Sequence, residues 1–243
     1  ADDAEFDLVI LPYQVWYLAP SIPVMSFLMS DQAKRLLKGK PVITVIACRN
    51  MWFKAQEKMQ TLLNDVGAQL TDNIALTDPN STLATLITTP RWLWFGKKTP
   101  FWGLPAAGLT EAQVRGTRRF GLALCAALRN GEEKTGKPML QGLQAVNANP
   151  HLLASERAGT HSFRIWGGWI SKLGPPGAPQ RKPMLALYTA FLILLIICVV
   201  PISLSVQMLL RPFMKLKFTQ LKETFELPSG SASHRMNAFK EPL

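Results

Sequence analysis

The chain has 243 residues, 48% of them hydrophobic, a composition that supports a folded core and excludes intrinsic disorder. Lysine and arginine number 27 against 16 acidic residues, a formal net charge of +11, which favours polyanionic surroundings such as an anionic membrane or nucleic acid. Cys48, Cys125 and Cys198 lie far apart and the chain has only three histidines, so neither a disulfide framework nor a zinc site is expected and a reducing compartment fits best.

Leu8 to Leu11 form a short continuous apolar run, the pattern of a buried parallel strand, and the turn-rich PYQVWYLAPSIP after it reads as a loop. A helix is predicted next, capped by Ser21, with Pro23 in its first turn, Val24, Phe27 and Leu28 facing inward, and Lys38-Gly39-Lys40 closing it after Leu37. Pro41 to Ala47 is a second buried strand and runs into Cys48-Arg49-Asn50-Met51-Trp52. Ala55, Met59, Leu62, Leu63 and Val66 share a helical face that Gly67 ends, and a third strand is predicted near Ile74 to Thr77. This alternation implies βαβ units and a parallel sheet, with ligands bound at the carboxyl ends of the strands. Those ends are the loops Pro12 to Pro20, Ala47 to Trp52 and Asp78 to Thr89. Tyr13, Trp16 and Tyr17 with Arg49 and Asn50 could together hold a flat, partly polar ring such as a planar cofactor. The same aromatics also read as loop anchors packed on the sheet, and Cys48 as a small buried hydrophobe rather than a nucleophile.

Pro90 to Pro105 interleaves Trp92, Trp94, Phe95, Phe101 and Trp102 with Arg91, Lys97 and Lys98, the mixture expected at lipid headgroup level, although an aromatic loop folded onto the core gives the same string. Thr110-Glu111-Ala112-Gln113 matches a capping box and starts a predicted helix to about Asn130, with Phe120, Leu124, Ala127 and Leu128 on one face and Gly131 beyond its end. His151 to Gly168 holds Glu156, Arg157, His161 and Arg164: His161 is a candidate acid or base and the arginines candidate anion binders, against the plainer reading of a solvated or headgroup face. From His161 to Leu173, Phe163, Trp166, Trp169 and Ile170 recur at helical spacing, as either a membrane-surface helix or a packed one. These basic and aromatic segments would also suit single-stranded nucleic acid. The adjacent apolar run makes lipid the preferred reading and nucleic acid an unexpected partner.

That run, Met184 to Leu210, carries no ionisable side chain over 27 residues. As a helix it would be about 40 Å long, more than the ~30 Å hydrocarbon core. Pro201, Ser203 and Ser205 leave a re-entrant hairpin open beside a single span. Arg181 and Lys182 on one flank and Arg211, Lys215 and Lys217 on the other leave the orientation open.

Two sets of residues carry a resemblance. DLVILPYQVWYLAPSIPVMSFL resembles the third strand, flavin-side loop and following helix of flavodoxin-like NAD(P)H:quinone-type reductases. More narrowly, GKPVITVIACRNMWFKAQEKM, TTPRWLWFG, ASERAGTHSFRIWG and RKPMLALYTAFLILLIICVVP, in this order, resemble the membrane-associated dialkylresorcinol condensing enzymes over nearly the whole chain. The resemblance implies bound FMN with NAD(P)H as electron donor. It also implies a ketosynthase partner that joins two acyl chains into a cyclohexanedione, and a role for this protein in making that ring aromatic. A flavin suits removal of hydride from a ring, whereas condensation needs an activated nucleophilic cysteine. Position by position, Trp16 and Tyr17 would flank the flavin ring, Gln14 and Val15 would offer backbone contacts, and Arg49, Asn50 and Trp52 would line its other edge and the substrate mouth. The family pattern also places two strands and a phosphate-cradling loop ahead of the position of Asp7. They are expected in a longer parent, which would leave Leu8 to Leu11 as an open edge and weaken FMN binding.

The expected architecture is therefore α/β: a flavodoxin-like parallel sheet with flanking helices over 1–136, a membrane-proximal connector over 137–182, a transmembrane or membrane-embedded helix over 183–210 and a basic polar tail over 211–243. The expected activity is flavin-dependent oxidation of an alkyl-bearing ring at the cytoplasmic membrane, the main domain facing the cytoplasm, with Arg49, Glu156 and His161 as candidate catalytic residues. The rival is a non-enzymatic adaptor with a degenerate flavin site that recruits a ketosynthase or acyl carrier protein through Arg91, Lys97, Arg157 and Arg164.

Overall fold

The computed structural model describes residues 6–195, 198, 202 and 215–239. They fall into two compact units, one comprising the chain up to Ala148 together with Glu223 onward, the other Asn149–Lys222.

The first unit is α/β, with helices flanking a four-stranded mixed sheet of order β2-β1-β3-β4. β1 (Val9–Trp16) pairs in parallel with β3 (Pro41–Cys48), and β3 in parallel with β4 (Gln69–Thr77). β2 is only Ala19–Pro20 and returns antiparallel on the end of β1, Val15 opposite Pro20 and Trp16 opposite Ala19. The sheet is thus mixed where an all-parallel one is expected, because half of the predicted first loop continues the strand and the rest folds back as a hairpin.

β1 differs from a strand buried on both faces. Val9, Leu11, Tyr13 and Val15 turn inward while Ile10, Pro12, Gln14 and Trp16 are exposed, the period-two alternation of a half-covered strand. Among the described residues Val9 to Gln14 pair on one side only. An edge position also explains Pro12, which cannot donate to a ladder on both sides. β3 lies between two neighbours and buries Val42, Ile43, Thr44 and Ile46.

The helix predicted from Ser21 to Leu37 is two, α1 (Ile22–Leu28) and α2 (Asp31–Leu37). Ser30 interrupts it: its hydroxyl oxygen accepts from Ala33 N at 3.2 Å and caps α2. α3 (Phe53–Asp65) buries Phe53, Ala55, Met59, Leu62 and Leu63, and Gly67 follows with φ of 73°. α4 (Thr82–Phe95) occupies what reads as loop and aromatic segment, capped by Ser81 and ended by Gly96 in the left-handed region. The Thr110 capping box is formed, and its helix is divided into α5 (Glu111–Gly116) and α6 (Arg118–Arg129).

The C-terminal residues do not remain a tail. Ser229 to Arg235 lie along 139–146, with Val146 N donating to Gly230 O, Gln144 N to Ala232 O and Arg235 N to Gly142 O. Ala75 N of β4 donates to Ala145 O at 3.0 Å, so this doubled segment continues from the β4 edge. Asp72 locks the arrangement: fully buried, its carboxylate accepts from Met139 N (2.8 Å), Leu140 N (3.1 Å) and the Ser229 hydroxyl (2.7 Å).

The second unit holds α7 (Leu153–Ser171) and α8 (Arg181–Leu194). Trp166 of α7 meets Tyr188 and Phe191 of α8 with ring centroids 5.4 and 5.2 Å apart, so that aromatic face is packed on a neighbouring helix, while Trp169 stays 51% exposed. Among the described residues no helix is long and apolar enough to cross a membrane. Beyond Leu195 the 184–210 run lies outside the described residues except for Cys198 and Ile202.

Candidate functional site

Because β1, β3 and β4 run parallel, their carboxyl ends share one end of the sheet. Gln14 pairs with Ala47, so two residues further along both strands Trp16 and Arg49 leave the sheet at the same level. β1 and β2 are joined by the two-residue turn Tyr17-Leu18, with φ of 49° and 63°. Both residues occupy the left-handed region that normally selects Gly, Asn or Asp in such a hairpin. This conformation is unfavourable by about 1–2 kcal/mol per residue, and strain of that kind concentrates at binding and catalytic sites.

The hairpin is braced. Trp16 Nε1 donates to Gln14 Oε1 at 3.0 Å, and Ser21 N donates to Gln14 O at 2.9 Å. Trp16 and Tyr17 remain 44% and 78% exposed, so their rings are accessible to a flat ligand. Val15 is half-buried and takes part in the hairpin ladder opposite Pro20.

Across the sheet, the Cys48 and Arg49 carbonyls both accept from Asp78 N, at 3.2 and 3.0 Å, tying the ends of β3 and β4 together. The Asp78 carboxylate accepts from Asn80 N and Gly108 N, at 2.9 and 2.6 Å, and is fixed in place. Arg49 is half-buried, its Nε donating to Asn50 Oδ1 at 3.4 Å. Burial lowers the Arg49 pKa, opposed by the attraction of Asp78 and then of Cys48; arginine nevertheless keeps its proton in proteins. The end of the sheet therefore combines two aromatic faces, the amide side chains of Gln14 on β1 and Asn50 after β3, and one partly desolvated cation. Such a set can hold a planar ring and favour negative charge on its edge.

Beneath it runs a buried polar chain. The Tyr13 hydroxyl donates to Gln56 Oε1 at 2.7 Å, Gln56 Nε2 to Thr44 Oγ1 at 3.3 Å, and Thr44 Oγ1 to Asn73 Oδ1 at 2.9 Å. Burial, and secondarily Cys48, pushes the Tyr13 phenol well above the usual tyrosine range. Tyr13, one of three aromatics read either as ring-holding or as anchors packed on the sheet, is a core residue, as the anchor reading has it, and supports β1 from below.

Trp52 is also misplaced by the sequence reading. It is 2% exposed, its ring against Phe53 at 4.7 Å, and Phe53 in turn stacks on Phe225 at 4.4 Å. The start of α3 directs both rings into the core, so Trp52 lines no substrate mouth. Of the three candidate catalytic residues, Arg49 belongs to the first unit and Glu156 and His161 to the second. Within α7, Glu156 is fully buried and His161 exposed, as five residues of helix set them about 140° apart. Arg157 and Arg164 are exposed on that helix. Hydrophobic periodicity does not mark Asp78; the Asp78-Pro79-Asn80 turn at a strand end is the signal that does.

A cleft of about 550 Å³ lies at the opposite end of β4, lined by Gln60, Asn64, Gln69, Thr71, Leu227 and Pro228 among others. It contains none of the strand-end residues. Among the described residues no cluster of three metal-binding side chains is present. No protein-family model, curated protein or solved structure matches the chain.

Proposed function

We propose that this chain is the ring-binding part of a flavodoxin-like oxidoreductase of dialkylresorcinol-type lipid biosynthesis, held at the cytoplasmic membrane by its apolar run 184–210. The observation that carries the reading is the strained hairpin that presents Trp16 and Tyr17 beside Arg49 at the carboxyl ends of parallel strands. FMN fits this donor set through its isoalloxazine ring: Trp16 and Tyr17 would cover a face, while the Arg49 cation and the Asn50 amide would serve its polar edge. When bound, FMN supplies a two-electron acceptor that takes hydride from a cyclohexanedione on its way to an aromatic ring. The protein's part is to position the ring, exclude water from its covered face and hold a positive charge at Arg49. An alkyl-bearing substrate suits a membrane-held enzyme, and a ketosynthase would supply it; the two electrons would then leave to an oxidised acceptor such as a quinone, whereas NAD(P)H as electron donor would serve only the opposite, reductive direction.

The adaptor reading receives less support. Arg91, one of its recruiting cations, is engaged within its own loop, donating to Lys97 O and Thr99 O at 3.0 and 2.7 Å with its guanidinium 4.1 Å from the Phe101 ring centroid.

The test is titration of the full chain, in mild detergent, into FMN and into lumiflavin, which lacks the phosphate, with flavin fluorescence as readout. Saturable quenching by both supports a ring-directed site. Loss of a single stacked indole removes about 0.5–1.5 kcal/mol, so Trp16→Ala should weaken binding by up to about ten-fold. Quenching absent for both ligands, in a chain shown to be folded, overturns the redox reading.

A further inference from the structure

We infer that the loop after α4 is a preformed docking surface for an anionic phospholipid bilayer, with Trp102 as its inserted side chain. Phe101 and Leu104 exchange backbone hydrogen bonds at 3.2 and 2.8 Å, closing a second two-residue turn whose tip is Trp102-Gly103. Trp102 has φ of 47°, and at 95% exposure its indole is presented to solvent. A large aromatic in a left-handed turn position is unfavourable locally, and exposing it forgoes the burial that usually governs where tryptophan sits.

The loop beneath is rigidly held, so this exposure is built in. Arg91 binds the carbonyls of Lys97 and Thr99 and lies over Phe101. Ala107 N donates to Lys98 O at 3.1 Å, Asn80 Nδ2 to Ala106 O at 2.9 Å, and Gly108 N to the Asp78 carboxylate. The Trp92 ring lies where a side chain on Gly108 would project, which fixes glycine there along with its φ of 84°. The adjoining last turn of α4 exposes Leu93, Trp94 and Phe95 at 78%, 72% and 69%.

Charge selects the partner. From Pro79 to Thr110 the sequence has no acidic residue, while Lys97 and Lys98 are exposed beside the aromatic tip. Protein–protein interfaces favour tryptophan and phenylalanine but are depleted in lysine. Lysine with tryptophan is the pairing of the membrane interface, where the indole sits at headgroup depth and the ammonium meets lipid phosphate. This surface belongs to the α/β unit itself and does not depend on the flavin reading; a chain that fails to bind flavin can still dock here.

The test is hydroxyl-radical footprinting of the full chain in nanodiscs of phosphatidylcholine alone or of phosphatidylcholine with phosphatidylglycerol. Trypsin releases Thr99 to Arg115, in which Trp102 is the single tryptophan, and Asn50 to Lys54, which carries the buried Trp52 as an internal control. Trp102 oxidation should fall several-fold in the anionic discs and recover at high salt, with Trp52 unchanged in both. Lys97→Glu with Lys98→Glu, whose tryptic peptide runs from Trp92 to Arg115 so that oxidation is assigned to Trp102 by fragment-ion sequencing, should remove the protection while leaving Trp52 shielded, which separates lost docking from lost fold. Equal reactivity of Trp102 in the two lipids overturns the proposal, as does protection that arises only on adding a protein or an oligonucleotide.

Discussion

At the scale of single residues, Tyr13 and Asp72 show how buried polar groups tie the sheet together. The raised Tyr13 pKa means that the folded state holds the phenolic proton more tightly than the unfolded chain. Its contribution to stability is therefore fully present below the unfolded value near 10 and is lost as pH rises through the folded one. Tyr13→Phe should remove that alkaline loss, and at neutral pH should cost about 1–3 kcal/mol because Gln56 Oε1 is left buried without its donor. Denaturant titrations of both proteins from neutral to alkaline pH check this. Asp72 follows the same sign at the acid end. Burial raises its pKa, against the lowering effects of the Ser229, Met139 and Leu140 hydrogen bonds and of Arg235. Relative to Asp72→Asn, the wild-type chain should lose stability as pH rises from about 4 through the raised Asp72 value. The opposite slope would show that its hydrogen bonds outweigh its desolvation. Neither role is legible in the sequence. Tyr13 finds its acceptor 43 positions away at Gln56, and Asp72 gains its partners from residues 67 to 157 positions away.

At the scale of elements, hydrophobic periodicity located β3, α3 and the third strand and correctly placed Gly67 and Gly131 beyond helix ends. It failed where a cap interrupts a continuous pattern. Ser30-Asp31 starts a new helix inside what reads as one, and Ser30→Ala should destabilise the unit by about 1 kcal/mol in thermal or chemical unfolding. It failed again at α4, because Thr-rich, Pro-containing TLATLITTPRWLWF lacks the amphipathic stripe of a surface helix and Pro90 argues against helix. The Ser81 cap and Gly96 were the available signals. The loop that follows depends on Arg91. Arg91→Ala should release the Lys97 and Thr99 carbonyls and raise the rate of limited tryptic cleavage at Lys97 and Lys98 well before global unfolding. Unchanged cleavage would mean that the Asp78 and Asn80 contacts alone hold the loop.

At the scale of the whole molecule, the α/β class and the strand ends carrying Trp16, Tyr17, Arg49 and Asn50 were legible because parallel-sheet periodicity is local. The return of Ser229 to Arg235 to the first unit was not, since a short polar, Ser- and Gly-containing segment carries no hydrophobic pattern of its own. Its register is set by backbone hydrogen bonds to 142–146 and by the Ser229 hydroxyl. Ser229 also accepts from Asn73 N at 2.8 Å, so Ser229→Ala leaves the buried Asn73 N without its acceptor and removes one of the three donors to Asp72, and should cost about 1–3 kcal/mol, measurable as a lower unfolding midpoint. Glu156 and His161 show the converse limit: proximity in sequence suggests a shared site, and helical geometry turns the two apart. Ring binding at the strained aromatic hairpin is tested by quenching of lumiflavin fluorescence by the folded full chain and by its Trp16→Ala variant. Saturable quenching that weakens by up to about ten-fold in the variant is predicted; no quenching by the wild-type chain, or quenching indifferent to Trp16, contradicts ring binding at this hairpin.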